Sequence, residues 1–162
     1  MTITPANRAR GQRMEHLFQH WLDRDGLPYF YLDQSMLTVP ANMRGLIKRP
    51  DFAVGIPNIG LLAFDVKAKA LLKDHFVVDV DEHRRLATFE TCFHMVAWFV
   101  IFPPRHAPYA YLFRNRDLAG TTPVTLNGKS CLRYAIDDAI AVNHRDSELM
   151  PAILRASATR RR

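Results

Sequence analysis

Long apolar runs are missing from this sequence. The longest, Met95 to Phe102, stops after eight residues at Pro103-Pro104, against the ~20 that a membrane-spanning helix needs. A transmembrane helix is excluded. The opening residues, Met1-Thr-Ile-Thr-Pro-Ala-Asn-Arg8, lack the apolar core and small-residue cleavage site of a secretory signal. The expected location is therefore cytoplasmic, or export by a route that needs no signal. Cysteine is scarce, with Cys92 and Cys131 alone. A chain of 162 residues can build a core without a disulfide staple, which predicts two free, buried thiols. The 7 glycines nowhere form a phosphate-cradling loop after a strand, which argues against nucleoside-triphosphate chemistry. No nucleophile-elbow sequence presents a serine. His16 and His20 share a helical spacing, but the glutamate of a His-Glu-x-x-His zinc site is absent, and a polar helix face is the plainer reading.

Acid is also in short supply. Asp plus Glu number 16 against 22 Lys plus Arg, a formal charge of +6, which favours an anionic partner. The cations gather at Arg8, Arg10 and Arg13, at Arg44, Lys48 and Arg49, and at Arg160, Arg161 and Arg162. What is present is otherwise ordinary: 48% hydrophobic and 23% charged residues are the proportions of a soluble globular chain. There is no internal repeat and no linker, so a single domain over 1–162 is expected.

Helical spacing runs from about Ala6 to Asp25, with Met14, Leu17, Phe18, Trp21 and Leu22 on one face, and Asp25-Gly26 closes it. Leu27 to Gln34 alternates like a strand, and Pro28 puts it at a start or an edge. Arg49–Val54 and Leu61–Ala68 read as a hairpin around Gly55-Ile-Pro-Asn-Ile-Gly60. Asp81 to about Met95 returns to helical period along Leu86, Phe89, Phe93 and Val96, with Asp81 and Glu82 suited to its N-terminus. Val96–Phe102 and Tyr109–Phe113 follow as strands, then a hairpin across Asn127-Gly128 and a short helix from about Asp146 to Ala156. The fold class is mixed α/β: a helix, three-strand meander, helix and strand core over about 6–116, and a C-terminal extension over 117–162. The strand aromatics Tyr29, Tyr31, Tyr109, Tyr111 and Phe113 suit base stacking, although sheet packing is the commoner use of such residues.

The hairpin carries the chemistry. With its turn centred near Asn58, strand positions whose numbers sum to about 116 face each other, so Asp51 stands opposite Asp65. The two-residue period puts Asp65, Lys67 and Lys69 on one face, with Asp51 on the same face of the partner strand. Like charges directly opposite are destabilising. Either Lys67 alone compensates them, or a divalent ion does, and carboxylates suit a hard ion such as Mg²⁺ or Mn²⁺, with the Val66 carbonyl as a further oxygen.

The strings Arg49-Pro50-Asp51-Phe52 and Phe64-Asp65-Val66-Lys67 resemble the active-site signature of the PD-(D/E)XK nuclease superfamily. Gly11-x-x-x-Glu15 looks like the helix glutamate that many members add to the metal shell. The resemblance implies a restriction-endonuclease-like core and a metal-dependent endonuclease acting on DNA more than RNA, commonly as a homodimer. In that scheme Asp51, Asp65 and Glu15 hold metal, and Lys67 orients and helps deprotonate the attacking water. Lys48, Arg49 and Lys69 hold flanking phosphates, joined by Arg84 and Arg85 where some relatives place a glutamine. The alternative is a catalytically inactive nucleic-acid-binding module on the same fold.

Overall fold

The computed structural model describes residues 5–32 and 39–159. Helix α1 spans Pro5–Arg24 and buries the expected stripe of Phe18, Trp21 and Leu22, with Met14 and Leu17 packed beside it. Gly26 ends it at φ 65°, a conformation that glycine reaches without steric cost. Strands β1 (Tyr29–Tyr31), β2 (Phe52–Ile56) and β3 (Gly60–Lys67) form the antiparallel meander. The part of the first predicted strand over 33–34 and the basic run over 160–162 lie outside the described residues. β1 is an edge strand, as Pro28 predicts.

The crossover from β3 contains a strand that the sequence pattern hid, β4 (His75–Asp79), followed by helix α2 (Val80–Phe93). Strand β5 (Val96–Ile101) then runs parallel to β3, and β6 (Tyr109–Arg114) returns antiparallel to it. β7 (Val124–Leu126) and β8 (Lys129–Ala135) form the Asn127-Gly128 hairpin. Its second strand pairs with β4, so a three-stranded sheet of order β4-β8-β7 arises. β9 (Ile140–Asn143) joins β6 and completes a six-stranded sheet of order β1-β2-β3-β5-β6-β9. Helix α3 (Leu149–Thr159) starts later than the pattern suggests.

Period-two alternation divides the large sheet into two faces. Phe52, Val54, Phe64, Val66, Trp98, Val100 and Leu112 turn toward α1 and the Leu149, Ala152 and Ile153 stripe of α3. Ala63, Ala97, Phe99, Ile101 and Phe113 turn the other way, toward Leu86 and Phe89 of α2 and Phe76, Val78, Leu132 and Tyr134 of the small sheet. The region over 117–159 thus contributes to both cores.

Three readings at the end of α2 need correction. His94 adopts a left-handed backbone at φ 52° and caps the helix, so Val96 belongs to β5. Phe93 is 57% exposed and packs only on the flank of Phe89, with ring centroids 4.7 Å apart. Cys92, on the same last turn, is exposed, while Cys131 is the one buried thiol of the two.

Candidate active site

The β2–β3 hairpin turns over Pro57 to Ile59, with Asn58 at φ 63° and Gly60 at φ 112°. It pairs Phe52 with Phe64, Ala53 with Ala63 and Val54 with Leu62. This is the register expected from the sequence as far as Phe52, where the ladder ends; at Asp51 the backbone pairing slips by one residue, so Asp51 does not stand directly opposite Asp65. The Asp51 N–H donates to the Phe64 carbonyl at 2.9 Å, and the Val66 N–H donates to Asp51 Oδ2 at 2.7 Å. Val66 therefore meets the carboxylate through its amide hydrogen. Because Phe64 and Val66 face α1, Asp65 and Lys67 face α2.

Asp65 is fully buried and sits between two ammonium groups. Lys48, from the loop before β2, donates to Asp65 Oδ1. Lys67 Nζ lies 2.5 Å from Asp65 Oδ2, so each oxygen of this buried carboxylate faces one ammonium. The first turn of α2 lowers Glu82 onto the same lysines, at 2.9 Å from Lys48 and 3.3 Å from Lys67. Asp79 caps α2, accepting from the Asp81 N–H at 2.9 Å. Lys69 donates to the Val77 carbonyl at 2.9 Å and lies 3.4 Å from Glu82.

The electrostatics follow from burial and this packing of charge. Burial, reinforced by the Asp65 charge, pushes Asp51 from its usual 3.8 up to about 7, against the pull of Lys67, the Val66 N–H and Lys48. Burial alone would lower Lys67, but Asp65, Glu82 and Asp51 outweigh it and hold the ammonium well above its usual range. Burial likewise works to raise Glu82, and Lys67, Lys48 and Lys69 overturn it, holding this carboxyl well below the usual carboxylate range.

The structure thus gathers Asp51, Asp65, Lys67, Lys48 and Lys69, and adds Glu82. It does not bring Glu15 to them. Glu15 projects from α1, which packs on the opposite face of the sheet, and its Oε2 accepts from the Tyr31 hydroxyl at 2.8 Å. Among the described residues no three His, Cys, Asp or Glu side chains are grouped to hold a metal ion. Glu82 escapes a sequence reading because its charge looks like ordinary helix N-terminal acid. Only β4, which delivers α2 over the hairpin, gives it this position.

Beside the carboxylates lies a cavity of about 350 Å³ lined by Arg44, Lys48, Arg49 and Arg85 with Gly45 and Ile47. The Lys48 N–H donates to the Arg85 carbonyl at 3.1 Å, which ties the loop to α2. The Arg85 Nε is buried with no hydrogen-bond partner. Arg84 sits on the exposed side of α2. Arg44 joins this cluster although only its place in a basic run marks it in the sequence. No helix among the described residues is long and apolar enough to cross a membrane.

The sequence matches no family model, and no curated protein matches it significantly. In structure the chain is similar to Archaeoglobus fulgidus Hjc, a Holliday junction resolvase from an archaeal hyperthermophile. The TM-score is 0.56 with 21% sequence identity, over 78% of this chain and 89% of that one. The likeness is one of fold, and it supports a restriction-endonuclease-like architecture.

Proposed function

We propose that this protein is a divalent-metal-dependent endonuclease that hydrolyses phosphodiester bonds, in DNA rather than RNA. The observation that carries the reading is the convergence of Asp51, Asp65 and Lys67 at the open end of the β2–β3 hairpin. The fold shared with a junction resolvase supports it and makes branched DNA the substrate to try first.

Asp51 and Asp65 fit Mg²⁺ or Mn²⁺. They are hard oxygen donors, and the repulsion between the two carboxylates, which a cation would relieve, helps to raise Asp51. Such sites commonly use one or two carboxylates and complete the shell with water and phosphate oxygens. The Val66 carbonyl belongs to the proposed donor set, and Glu15, held by Tyr31 on the α1 side of the sheet, does not. When bound, the cation supplies a water acidic enough to attack near neutral pH and offsets charge on the scissile phosphate. Lys67 orients that water and donates to the phosphate. Its carboxylate neighbours hold its ammonium form, and in the proposed scheme it also helps to deprotonate the water once a cation offsets their charge. Arg44, Lys48, Arg49, Arg84 and Arg85 take the flanking phosphates, which makes binding salt-dependent. Lys69 instead holds Glu82 in place. A homodimer would present two such sites to two strands.

One observation favours the inactive-module alternative: Lys48 and Lys67 already neutralise Asp65 and Glu82 without any metal. The deciding experiment incubates supercoiled plasmid and a four-way DNA junction with purified protein in Mg²⁺, Mn²⁺ or EDTA, beside Asp65→Ala. Metal-dependent cutting that the variant loses is the expected result. Binding without cutting by both proteins selects the inactive module, and neither binding nor cutting removes nucleic acid as the partner.

A further inference from the structure

On the opposite face of the sheet from the carboxylates, a cavity of about 630 Å³ opens between α1, the residue after β3, the segment after β5 and the loop after β9. It has the size of a small-ligand site. Its cations are Arg10 and Arg13 from α1, Arg24, and Arg145 from the loop; the imidazoles of His20 and His144 line it as well, and no carboxylate is among the described residues that do. Its walls are apolar and aromatic, chiefly Trp21, Phe102 and Tyr109.

The cavity is built, not a chance gap between mobile chains. Arg24 donates to the carbonyls of His144, Arg145 and Ser147 at 2.8, 2.6 and 2.8 Å. The Trp21 indole donates to the same Ser147 carbonyl at 3.1 Å, so the loop is clamped onto the helix. The clamp sets the His144 ring 6.1 Å from Trp21 and 5.5 Å from Phe102, centroid to centroid. Burial and the neighbouring Arg145 and Arg24 push this imidazole below its usual pKa. Arg10 and Arg13 are exposed on the rim, and Tyr109 is 46% exposed.

An aromatic floor with a rim of arginines matches a flat, apolar ring carrying phosphate on either side. We infer that this cavity binds an unpaired nucleobase of the substrate strand, with Arg10, Arg13 and Arg145 on its flanking phosphates and Tyr109 stacked on the base. The inference rests on the nucleic-acid reading above and names which part of the polymer is recognised. Position supports it: Ala68, which lines the cavity, directly follows Lys67 of the carboxylate cluster. A second copy of this chain is a poor occupant, because two such faces would oppose cation to cation.

The test uses the full-length protein in EDTA, so that cleavage plays no part. Fluorescence anisotropy compares a DNA duplex carrying a short thymidine gap with the same duplex carrying abasic sugar-phosphate in the gap. The charge is equal and only the bases differ. The wild type should bind the thymidine gap tighter by about tenfold, the scale of one stacked base. Tyr109→Ala should bring the two affinities together with its salt dependence unchanged. Arg13→Gln with Arg145→Gln should instead flatten the salt dependence, by ~0.7 in logarithmic slope for each phosphate that is no longer neutralised.

Equal wild-type affinities for the two gaps overturn the inference, as does an affinity ratio unmoved by Tyr109→Ala. A wild-type dimer that the pocket variants convert to monomer, with no base preference, makes the cavity a self-association surface and also overturns it. The plasmid assay separates this from the nuclease reading. Base preference without cutting leaves the pocket standing alone, whereas cutting without base preference removes only the pocket.

Discussion

Asp51 is the residue whose ionisation most directly reports on the candidate site. Its folded-state pKa of about 7 lies above its usual 3.8. The stability this group contributes is therefore fully present below about pH 4 and is lost as pH rises through about 7. In EDTA, Asp51→Asn should melt above the wild type at pH 8 and level with it near pH 4. The gap should be on the order of 2–4 kcal/mol at ~1.4 kcal/mol per pKa unit, and saturating Mg²⁺ should close it if the cation binds there. Glu82 works in a lower window. Its depressed pKa contributes stability that is present above about 4.5 and lost as pH falls, so a steep acid transition that Glu82→Gln flattens is expected in the same melts. Lys67→Ala should cost ~1–3 kcal/mol by leaving the buried Asp65 Oδ2 without its partner while Lys48 still holds Oδ1. Its cleavage rate is therefore interpretable only beside a thermal melt. Lys48 competes directly for Asp65 Oδ1, so Lys48→Met should raise Mn²⁺ affinity in the absence of DNA, read by calorimetry.

At the scale of elements, the β2–β3 hairpin is the most readable part of the chain. Asn58 and Gly60 mark its turn, and the alternation of Ala63, Asp65 and Lys67 against Phe64 and Val66 sets its faces. That makes the nearness of Asp51 to the Asp65–Lys67 segment readable without a structure, though not the one-residue slip in pairing at Asp51. β4 is not readable: its five residues, His75-Phe-Val-Val-Asp79, sit in a crossover where the apolar pattern is too short to show a period, and they pair with β8 some fifty residues on. The position of Glu82 depends on that pairing, which is why the sequence hides it. Glu15 is misplaced by its spacing for a related reason: helical period gives the face of α1 but not the side of the sheet on which the helix lies. Gly55 shows how closely the meander is packed. An added Cβ would come within 3.1 Å of the Pro28 ring, and the Gly55 N–H donates to the Pro28 carbonyl at 2.7 Å. Gly55→Val should lower stability by ~1–3 kcal/mol, as overpacking does, measured by urea unfolding.

Over the whole molecule, the region after residue 116 looks like an appendage in the sequence and is part of the core in the structure. Leu132 and Tyr134 close one side of the large sheet, and Val142, Leu149, Ala152 and Ile153 close the other. A chain cut after residue 116 should expose both faces and fail to show a cooperative melt, the opposite of what a dispensable tail would do. The two faces also separate the two candidate sites, although Lys67 and Ala68 are consecutive in the chain. Side chains one residue apart at a strand end point to opposite sides, so a polymer reaching both must fold back around the sheet within a few nucleotides. Duplex DNA, whose persistence length is ~150 base pairs, is a rod on that scale, whereas a strand freed at a branch or a gap behaves as a cord. If DNA is the substrate, as proposed above, the sheet edge would be a mechanical filter: stiffness alone would keep continuous duplex from engaging both proposed sites at once, before any base has been read.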